Sequence, residues 1–185
     1  MLAHFQLAAG GVPQVRLIDL DGEDATAIDP EVTEQIGQSI MATEAVIDGL
    51  LTEQALRSGI GAAIIHKPDV PRTALLMRRD VGLEIDARSV ERAEGLAFVA
   101  VDILRLDGQN LLDLPLLERK RLLDGVIEQR HLVRVSPFTR PPIGPWLASW
   151  KSTGFKGAIV KAANSRYRPD SLTDEWTFVS KIHRR

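Results

Sequence analysis

The segment GFKGAIVKAANSRYRPDSLTDEW, residues 154–176, carries two lysines that could bind an anion. Lys156 and Lys161 lie on the stretch KGAIVKAA, whose apolar residues predict a strand. An ammonium group can hold a phosphate oxygen as a point charge. Because the lysines are separated by an odd number of positions, a regular strand places them on opposite faces. The alternative is that they are ordinary strand lysines, of which at least one is solvated.

The loop that follows has three side chains suited to nucleic acid. Arg166 and Arg168 carry planar guanidinium groups that match phosphate, and Tyr167 between them could stack on a base. Lys181 adds a positive charge near the end of the sequence. The alternative interpretation is a solvated loop.

Two aspartates follow apolar runs that are typical of strands. Asp102 comes after LAFVAV, and its side chain is either a catalytic acid or a structural acceptor for backbone amides. Asp48 and Gly49 come after AVI, where they form either part of a site or a turn. The charged run ERKR, Glu118 to Arg121, is interpreted as the solvent-facing side of a helix.

Composition and motif content exclude several classes of protein. The sequence contains no cysteine, which excludes disulfides and thiolate zinc sites and suits a cytoplasmic location. The four histidines show no ligand spacing, so no metal site is predicted. No apolar run reaches the roughly 18 residues of a membrane span, and the N-terminus lacks the basic leader of a secretory signal. No hydrolase, kinase or P-loop motif is present.

Charge is unevenly distributed, although the net charge is only −2. Residues 1–54 contain ten acidic residues and one basic residue, for a net charge of −9. Residues 151–185 contain eight basic and three acidic residues, for a net charge of +5. The positive segment could meet phosphate, or it is a solvated basic strand end. The acidic first third argues against a chain that lies flat along nucleic acid.

Strand patterns occur along most of the chain. QVRLIDLDGED predicts a strand that ends in a turn at Asp21-Gly22, and EAVIDGLLTE and LAFVAVDILRLDG predict two further strands. Three later strands are predicted in HLVRVSPF, KGAIVKAA and EWTFVSKIH. The proline-rich residues 138–146 predict a loop, where Trp146 and Trp150 are either core residues or an exposed anchor. Residues 55–96 give no clear pattern.

Two helices are predicted between these strands. DPEVTEQIGQSI can be capped by Asp29 and opened by Pro30, with apolar residues every fourth position from Val32. LPLLERKRLLDGVIEQ is opened by Pro115 and turns Leu123 inward. Strands and helices without a regular βαβ alternation predict an α+β fold of antiparallel sheets packed with helices.

Five of these segments, in this order, resemble the motifs of ATP-dependent DNA ligases. FVAVDILRLDGQNLLDLPLLERKRLL is similar to F-x-A-F-D-L-L-x-L-D-G followed by P-L-x-E-R-R-x-L-L. RLIDLDGED resembles R-L-x-S-R-x-G-x-D, and AVIDGLL resembles x-V-L-D-G-E-L. GFKGAIVKAANSRYRPDSLTDEW resembles G-x-E-G-V-V-A-K, then S-x-Y-R-P-G and W-x-K-x-K. The likeness runs from about residue 12 to 182, is weak between residues 55 and 96, and is closest to the bacterial ligases of end-joining repair.

The resemblance implies one nucleotidyltransferase (adenylation) domain over residues 1–185, truncated at both ends relative to the family. The K-x-D-G nucleophile segment and the oligonucleotide-binding domain are then expected to be missing. Family members use ATP and Mg²⁺: a lysine takes AMP from ATP, the AMP passes to a DNA 5′-phosphate, and the strand is sealed. The resemblance marks six positions as remnants of nucleotide or phosphate binding: Asp48, Gly49, Val101, Asp102, Lys156 and Lys161.

The chain departs from the family motifs where their chemistry is performed. Six positions differ: Leu20 for the arginine of S-R-x-G, Leu50 for the glutamate of D-G-E, Val101 for the adenine-stacking phenylalanine, Lys156 for the metal-binding glutamate, and Phe178 and Ser180 for the lysines of W-x-K-x-K. Three of these exchanges, at Leu20, Leu50 and Phe178, put apolar surface where charge is usual, which predicts a closed and filled pocket that strands no buried ion. The ammonium of Lys156 could instead replace the metal ion and hold an anion.

These departures predict a degenerate ligase-like domain with no catalytic residue, no metal and no bound ATP, which acts as a binding or assembly module. One alternative is an active DNA repair ligase. In that case this sequence is only a part of the ligase, or Met1 is not its true start. Another is a residual nucleotide or DNA binder. The expected partners are DNA or another repair protein, with no membrane, and homo-oligomerisation is left open.

Overall fold

The fold is given by a computed structural model, which describes residues 1–53, 96–136, 138, 158–169, 171 and 173–179. Several sequence predictions lie outside these residues: the stretch 55–95, most of the loop 138–146, Trp146, Trp150, Lys156, Ser180 and Lys181.

The described residues form eight strands and two helices. In chain order these are β1 (Leu2–Leu7), β2 (Pro13–Ile18), α1 (Pro30–Ser39), β3 (Glu44–Glu53), β4 (Leu96–Leu106), β5 (Gln109–Asn110), α2 (Leu116–Val126), β6 (Val133–Val135), β7 (Ala158–Lys161) and β8 (Trp176–Val179).

The strands form two sheets. The larger sheet has six strands in the order β2-β1-β3-β4-β5, with β6 paired to β4. Its pairs are antiparallel except β4 with β6, which is parallel. Strands β7 and β8 form a separate antiparallel pair. The predicted α+β class with antiparallel sheets and packed helices is confirmed. Neither helix that the structure describes has the length and apolar character of a membrane span.

Helix α1 forms as the sequence predicts. The Asp29 carboxylate accepts hydrogen bonds from the amides of Glu31 and Val32, and proline occupies the first turn. Such capping satisfies amide donors that the helix itself leaves free. Val32 and Ile36 are buried in the core that the helices and the larger sheet share. The second Asp29 carboxylate oxygen accepts a bond from the amide of Leu96, so the cap also fixes the start of β4.

Strand β1 was not predicted from the sequence, although it lies inside the larger sheet between β2 and β3. Its side chains alternate, with Ala3 and Phe5 buried and His4 and Gln6 exposed. This period of two is a strand signal. The strand is only six residues long, and half of its residues are polar or small, so the pattern is weak when read alone.

The interpretation of Asp48-Gly49 as a turn is wrong, because both residues lie within β3. The register pairs Asp48 with Asp102 and then Gly49 with Ala100. Val101 is therefore an extra residue on β4, as in a β-bulge. Asp48 and Asp102 alternate with core residues of their strands, so both lie on the face opposite the main core.

Gly49 is required by the packing at this bulge. A Cβ atom at this position would lie 2.7 Å from the Val99 carbonyl oxygen and still closer to the ring of Phe98. Neither neighbour can move away freely, because Phe98 is fully buried in the core. The glycine therefore lets β3 approach β4 where the two aspartates face each other.

The interpretation of ERKR as a solvent-facing run is wrong for its two central residues. Glu118 and Arg121 are exposed and form an ion pair at 2.6 Å. Arg119 is completely buried, and Lys120 is 6% exposed. Charged side chains are rarely buried unless they have partners, and the partners here lie on distant parts of the chain.

Candidate functional site

The site is built around a buried ion pair between β4 and α2. Arg119 Nε donates to Asp102 Oδ1 and Arg119 Nη2 donates to Asp102 Oδ2, both at 2.9 Å. Both side chains are completely buried. This two-point contact is the strong form of an arginine–carboxylate interaction. The Ile103 amide also donates to Asp102 Oδ1 at 2.9 Å, so Asp102 has the structural role that the sequence left open.

The remaining Arg119 donors hold the loop of residues 162–169. Arg119 Nη1 donates to the carbonyl oxygen of Leu114 and, at 3.3 Å, to that of Ser165. The same Ser165 carbonyl accepts a bond from the Leu116 amide at 2.9 Å. Leu116 is the first residue of α2, whose preceding residue offers no side-chain cap. The loop therefore satisfies a free amide of the helix N-terminus and is fixed to it.

Tyr167 of this loop points inward rather than to solvent. Its hydroxyl donates to Asp48 Oδ2 at 3.2 Å. Its ring meets the ring of Trp176 edge-to-face, with centroids 6.3 Å apart, and the Arg119 guanidinium lies 5.8 Å from its centroid. Burial raises the pKa of Tyr167, and the Asp48 carboxylate adds to the rise. Tyr167 is therefore a neutral hydrogen-bond donor here.

Asp48 is half-buried, and its surroundings have opposite effects on the pKa of its carboxyl group. Burial raises the pKa of its carboxyl, while the positive charges of the Met1 amino group and Lys161 lower it. Its hydrogen bond from Tyr167 favours the charged form. Burial wins, so the pKa of Asp48 lies above its usual value.

Lys161, on β7, faces an aromatic ring. Its Nζ lies 3.8 Å from the centroid of the Trp176 ring on β8. Trp176 Nε1 in turn donates to Ser165 Oγ at 3.2 Å. Burial lowers the pKa of Lys161, and the carboxylates of Asp48 and Asp102 oppose this. The ammonium is thus held in a half-buried position by a ring and by nearby negative charge.

Lys120 supports the strand end next to the site. Its Nζ donates to the carbonyl oxygens of Val101 at 3.1 Å and Ser136 at 2.9 Å. The ring of Phe138 lies 5.9 Å away. Because Val101 is the extra residue of the bulge, the lysine satisfies a carbonyl that the strand ladder leaves without its regular partner. Burial lowers the pKa of Lys120 to about 8.

Two of the apolar departures lie beside these groups. Leu50 follows the Asp48-Gly49 pair, and Val101 precedes Asp102. Both are half-buried, and neither belongs to the main core. Among the described residues, no group of three His, Asp or Glu side chains is placed to hold a metal ion.

The structure brings together some of the predicted site residues and separates others. Asp48, Asp102, Lys161 and Tyr167 lie in one cluster with Gly49 and Val101 at its edge. Arg166 and Arg168 are exposed, and Arg166 donates to the carbonyl of Asp113. Lys156 and Lys181 lie outside the described residues. The assigned roles in nucleotide or nucleic-acid binding stay predictions.

Sequence reasoning missed two residues that position this cluster, Arg119 and Ser165. Arg119 was assigned to solvent because its neighbours in the run are charged. The signal that could have found Arg119 is an apolar strand with one aspartate, Asp102, followed by an amphipathic helix with an arginine on its inner side. Ser165 gives no such signal, because its backbone and its hydroxyl act through residues far away in the sequence.

Two solved structures with this fold come from mycobacterial DNA ligase D. The ligase domain of M. tuberculosis LigD aligns with a TM-score of 0.60 at 21% identity, over 96% of this chain and 49% of that chain. A mycobacterial DNA ligase D complexed with ATP and MES aligns with a TM-score of 0.58, again at 21% identity, over 96% of this chain and 50% of that one. The fold is therefore that of a ligase nucleotidyltransferase domain.

Sequence comparison gives the family. Residues 14–179 match the ATP dependent DNA ligase domain, and the chain belongs to this family. DNA ligase 1 of Korarchaeum cryptofilum is 28% identical over 172 residues, which cover 92% of this chain and 30% of that protein. DNA ligase B of Mycobacterium tuberculosis is 27% identical over 172 residues, which cover 92% of this chain and 31% of that protein. The chain thus spans roughly a third of these relatives, and the resemblance stated from the motifs is confirmed.

The buried Lys120 predicts that the stability of the fold depends on pH. Its folded pKa of about 8 lies below the usual 10.5, so the folded state releases the proton first as the pH rises. Between about pH 8 and 10.5 the unfolded state binds more protons, and the contribution of Lys120 to stability increases with pH by up to roughly 3 kcal/mol. The neutral amine keeps two N–H donors for its two carbonyl partners.

The measurement is the free energy of unfolding by urea at several pH values for the wild type and Lys120→Met. We expect the wild type to gain stability relative to Lys120→Met as the pH rises through this window. Arg121→Met, an exposed change on the same helix, should keep the wild-type pH dependence. If the free energy of unfolding changed with pH in the same way for the wild type and Lys120→Met, the lowered pKa of Lys120 would be contradicted.

Proposed function

We propose that this chain is a ligase-type nucleotidyltransferase domain that does not form an enzyme–AMP adduct or seal DNA, and that it acts as a binding or assembly module. The observation that supports the proposal is the set of contacts that the side chains of Asp48 and Lys161 make within the chain. Asp48 accepts a hydrogen bond from Tyr167, and Lys161 lies against Trp176. Among the described residues, these polar groups of the site are engaged with one another.

The internal departures from the family motifs support the same conclusion. Leu50 and Val101 stand where the motifs have a glutamate and an adenine-stacking phenylalanine. Adenylate transfer depends on groups placed in advance around the phosphates and the base. The loss of one such group typically slows a reaction at least 100-fold, and here several differ together. The fold itself does not depend on those groups, because its core is apolar and its central charges are paired.

The first test is self-adenylation. The longest native form of the protein is incubated with ATP and Mg²⁺ or Mn²⁺, and its intact mass is measured beside an active ATP-dependent ligase. We expect no gain of one AMP, because the groups that position the nucleotide are replaced. The double variant Leu50→Glu/Val101→Phe, which restores two motif residues, serves as a matched comparison.

The result also decides between the proposal and an active repair ligase. A covalent AMP on the wild-type protein, lost when ATP is omitted, would overturn the proposal. Sealing of a nicked duplex by the wild type would do the same. An adduct only in the restored variant would support it, since the scaffold would then be competent and the native side chains limiting.

A second candidate function is residual nucleic-acid binding. It is favoured by the loop of residues 162–169, where Arg166 and Arg168 are exposed on either side of the inward Tyr167. Exposed arginines can contact phosphate without a metal ion. The acidic first part of the chain opposes such binding unless it faces away from the nucleic acid.

Binding is tested by fluorescence anisotropy with a nicked duplex at about 50 mM salt, where phosphate contacts are strong. If the loop is the contact, Arg166→Ala/Arg168→Ala should weaken binding by at least about 10-fold and flatten its salt dependence. Arg121→Ala/Arg134→Ala removes the same charge from exposed positions elsewhere and is the control. Absence of binding by the wild type, or equal losses in both double variants, would dismiss this candidate.

A further inference from the structure

Lys161 lies directly opposite Trp176 where β7 pairs with β8. Its Nζ lies 3.8 Å from the centre of the Trp176 ring, well inside the roughly 6 Å range of a cation–π contact. Tryptophan has the most favourable ring for such a contact. The side chain is half-buried rather than extended into solvent. The ammonium is therefore directed at the ring face, where its attraction to an anion is reduced.

The groups around this ammonium form a partly closed compartment. Trp176 is fixed because its indole N–H donates to Ser165 Oγ at 3.2 Å. Tyr167 stands edge-to-face against Trp176 and binds the Asp48 carboxylate. The charges that act on Lys161 are those of Asp48, Asp102 and Arg119. Asp102 and Arg119 neutralise each other, so Asp48 is the carboxylate left, and its charge acts on both Lys161 and the Met1 amino group.

An aromatic face, a second ring and a carboxylate are the elements by which proteins recognise ammonium groups. We propose that the Trp176 ring and the Asp48 carboxylate, both contacted by Tyr167, form an ammonium-binding cage, and that Lys161 of the same chain is its occupant. The chemical class of ligand that this cage takes is a primary alkylammonium ion. This inference goes beyond the proposed function.

The cage is tested by emptying it and offering the missing group. Lys161→Ala removes the occupant and leaves Trp176, Tyr167 and Asp48 in place. We expect it to lower the melting temperature, because Asp48 and the ring face lose their cation. Added n-butylammonium, which has the length of the lysine side chain, should restore at least half of the loss in a saturable manner at about 10 mM.

Three controls make the test specific to a cage. The uncharged n-butanol should restore nothing, since the ring and the carboxylate select a cation. The wild type should show no stabilisation by n-butylammonium, because the cage is occupied. Arg166→Ala, a change to a neighbouring exposed cation, should also show none. Equal effects of n-butylammonium on Lys161→Ala and on the wild type would overturn the proposal.

A measurement on the wild type covers the case in which Lys161→Ala fails to fold. Acetylation with the N-hydroxysuccinimide ester of acetic acid is followed at Lys161 by peptide mass, in native buffer and in urea. The native rate should be at least about 10-fold lower, as expected for a protected group, and Trp176→Leu should raise it. Equal rates in native buffer and in urea, or no effect of Trp176→Leu, would contradict a caged ammonium. Because no nucleotide is involved, this outcome is independent of the adenylation result.

Discussion

The buried pair of Asp102 and Arg119 is the interaction on which the site region depends. It joins the central strand β4 to helix α2, and the same guanidinium reaches the carbonyl of Ser165 in the loop beyond β7. A completely buried arginine without its carboxylate would be an uncompensated charge, which costs about 3–5 kcal/mol. The pair also fixes the loop that carries Tyr167. Through Ser165 it reaches Trp176, and so the ring that faces Lys161.

Around this pair, several polar groups in the described part of the site have partners within the chain. Tyr167 donates a hydrogen bond to Asp48, the Lys161 ammonium lies over the Trp176 ring, and Lys120 donates to two backbone carbonyls. A buried or half-buried polar group is tolerated when such partners exist. The family of ATP-dependent DNA ligase domains supplies the scaffold. In this member, we propose, the scaffold is retained while the polar side chains of the site bind one another.

The elements could be predicted where local signals act alone. Helix α1 follows from Asp29, Pro30 and the spacing of its apolar residues, and β4 follows from its long apolar run. Strand β1 was missed because its six residues carry a weak alternation. The family could be predicted because five motifs keep their order. Such motifs are read by residue type and do not need the contacts that the structure adds.

The parts of the site that could not be predicted depend on contacts between distant residues. Arg119 is buried because Asp102 lies opposite it, 17 positions earlier, and a charged run gives no sign of this. Asp48 and Gly49 have turn-forming residue types, yet the close approach of Phe98 places the glycine inside a strand. Tyr167 belongs to a polar loop, and its inward orientation follows from a hydrogen bond to Asp48 across 119 positions.

The central claim, that the site is held by internally matched charges, is tested most directly by a double-mutant cycle on Asp102 and Arg119. The free energy of unfolding is measured for the wild type, Asp102→Asn, Arg119→Met and the double variant. Each single change should destabilise the protein by about 3–5 kcal/mol, and the double variant should lose little more than one single change, which gives a coupling of about 3 kcal/mol. Losses that add to within about 0.5 kcal/mol would contradict the account.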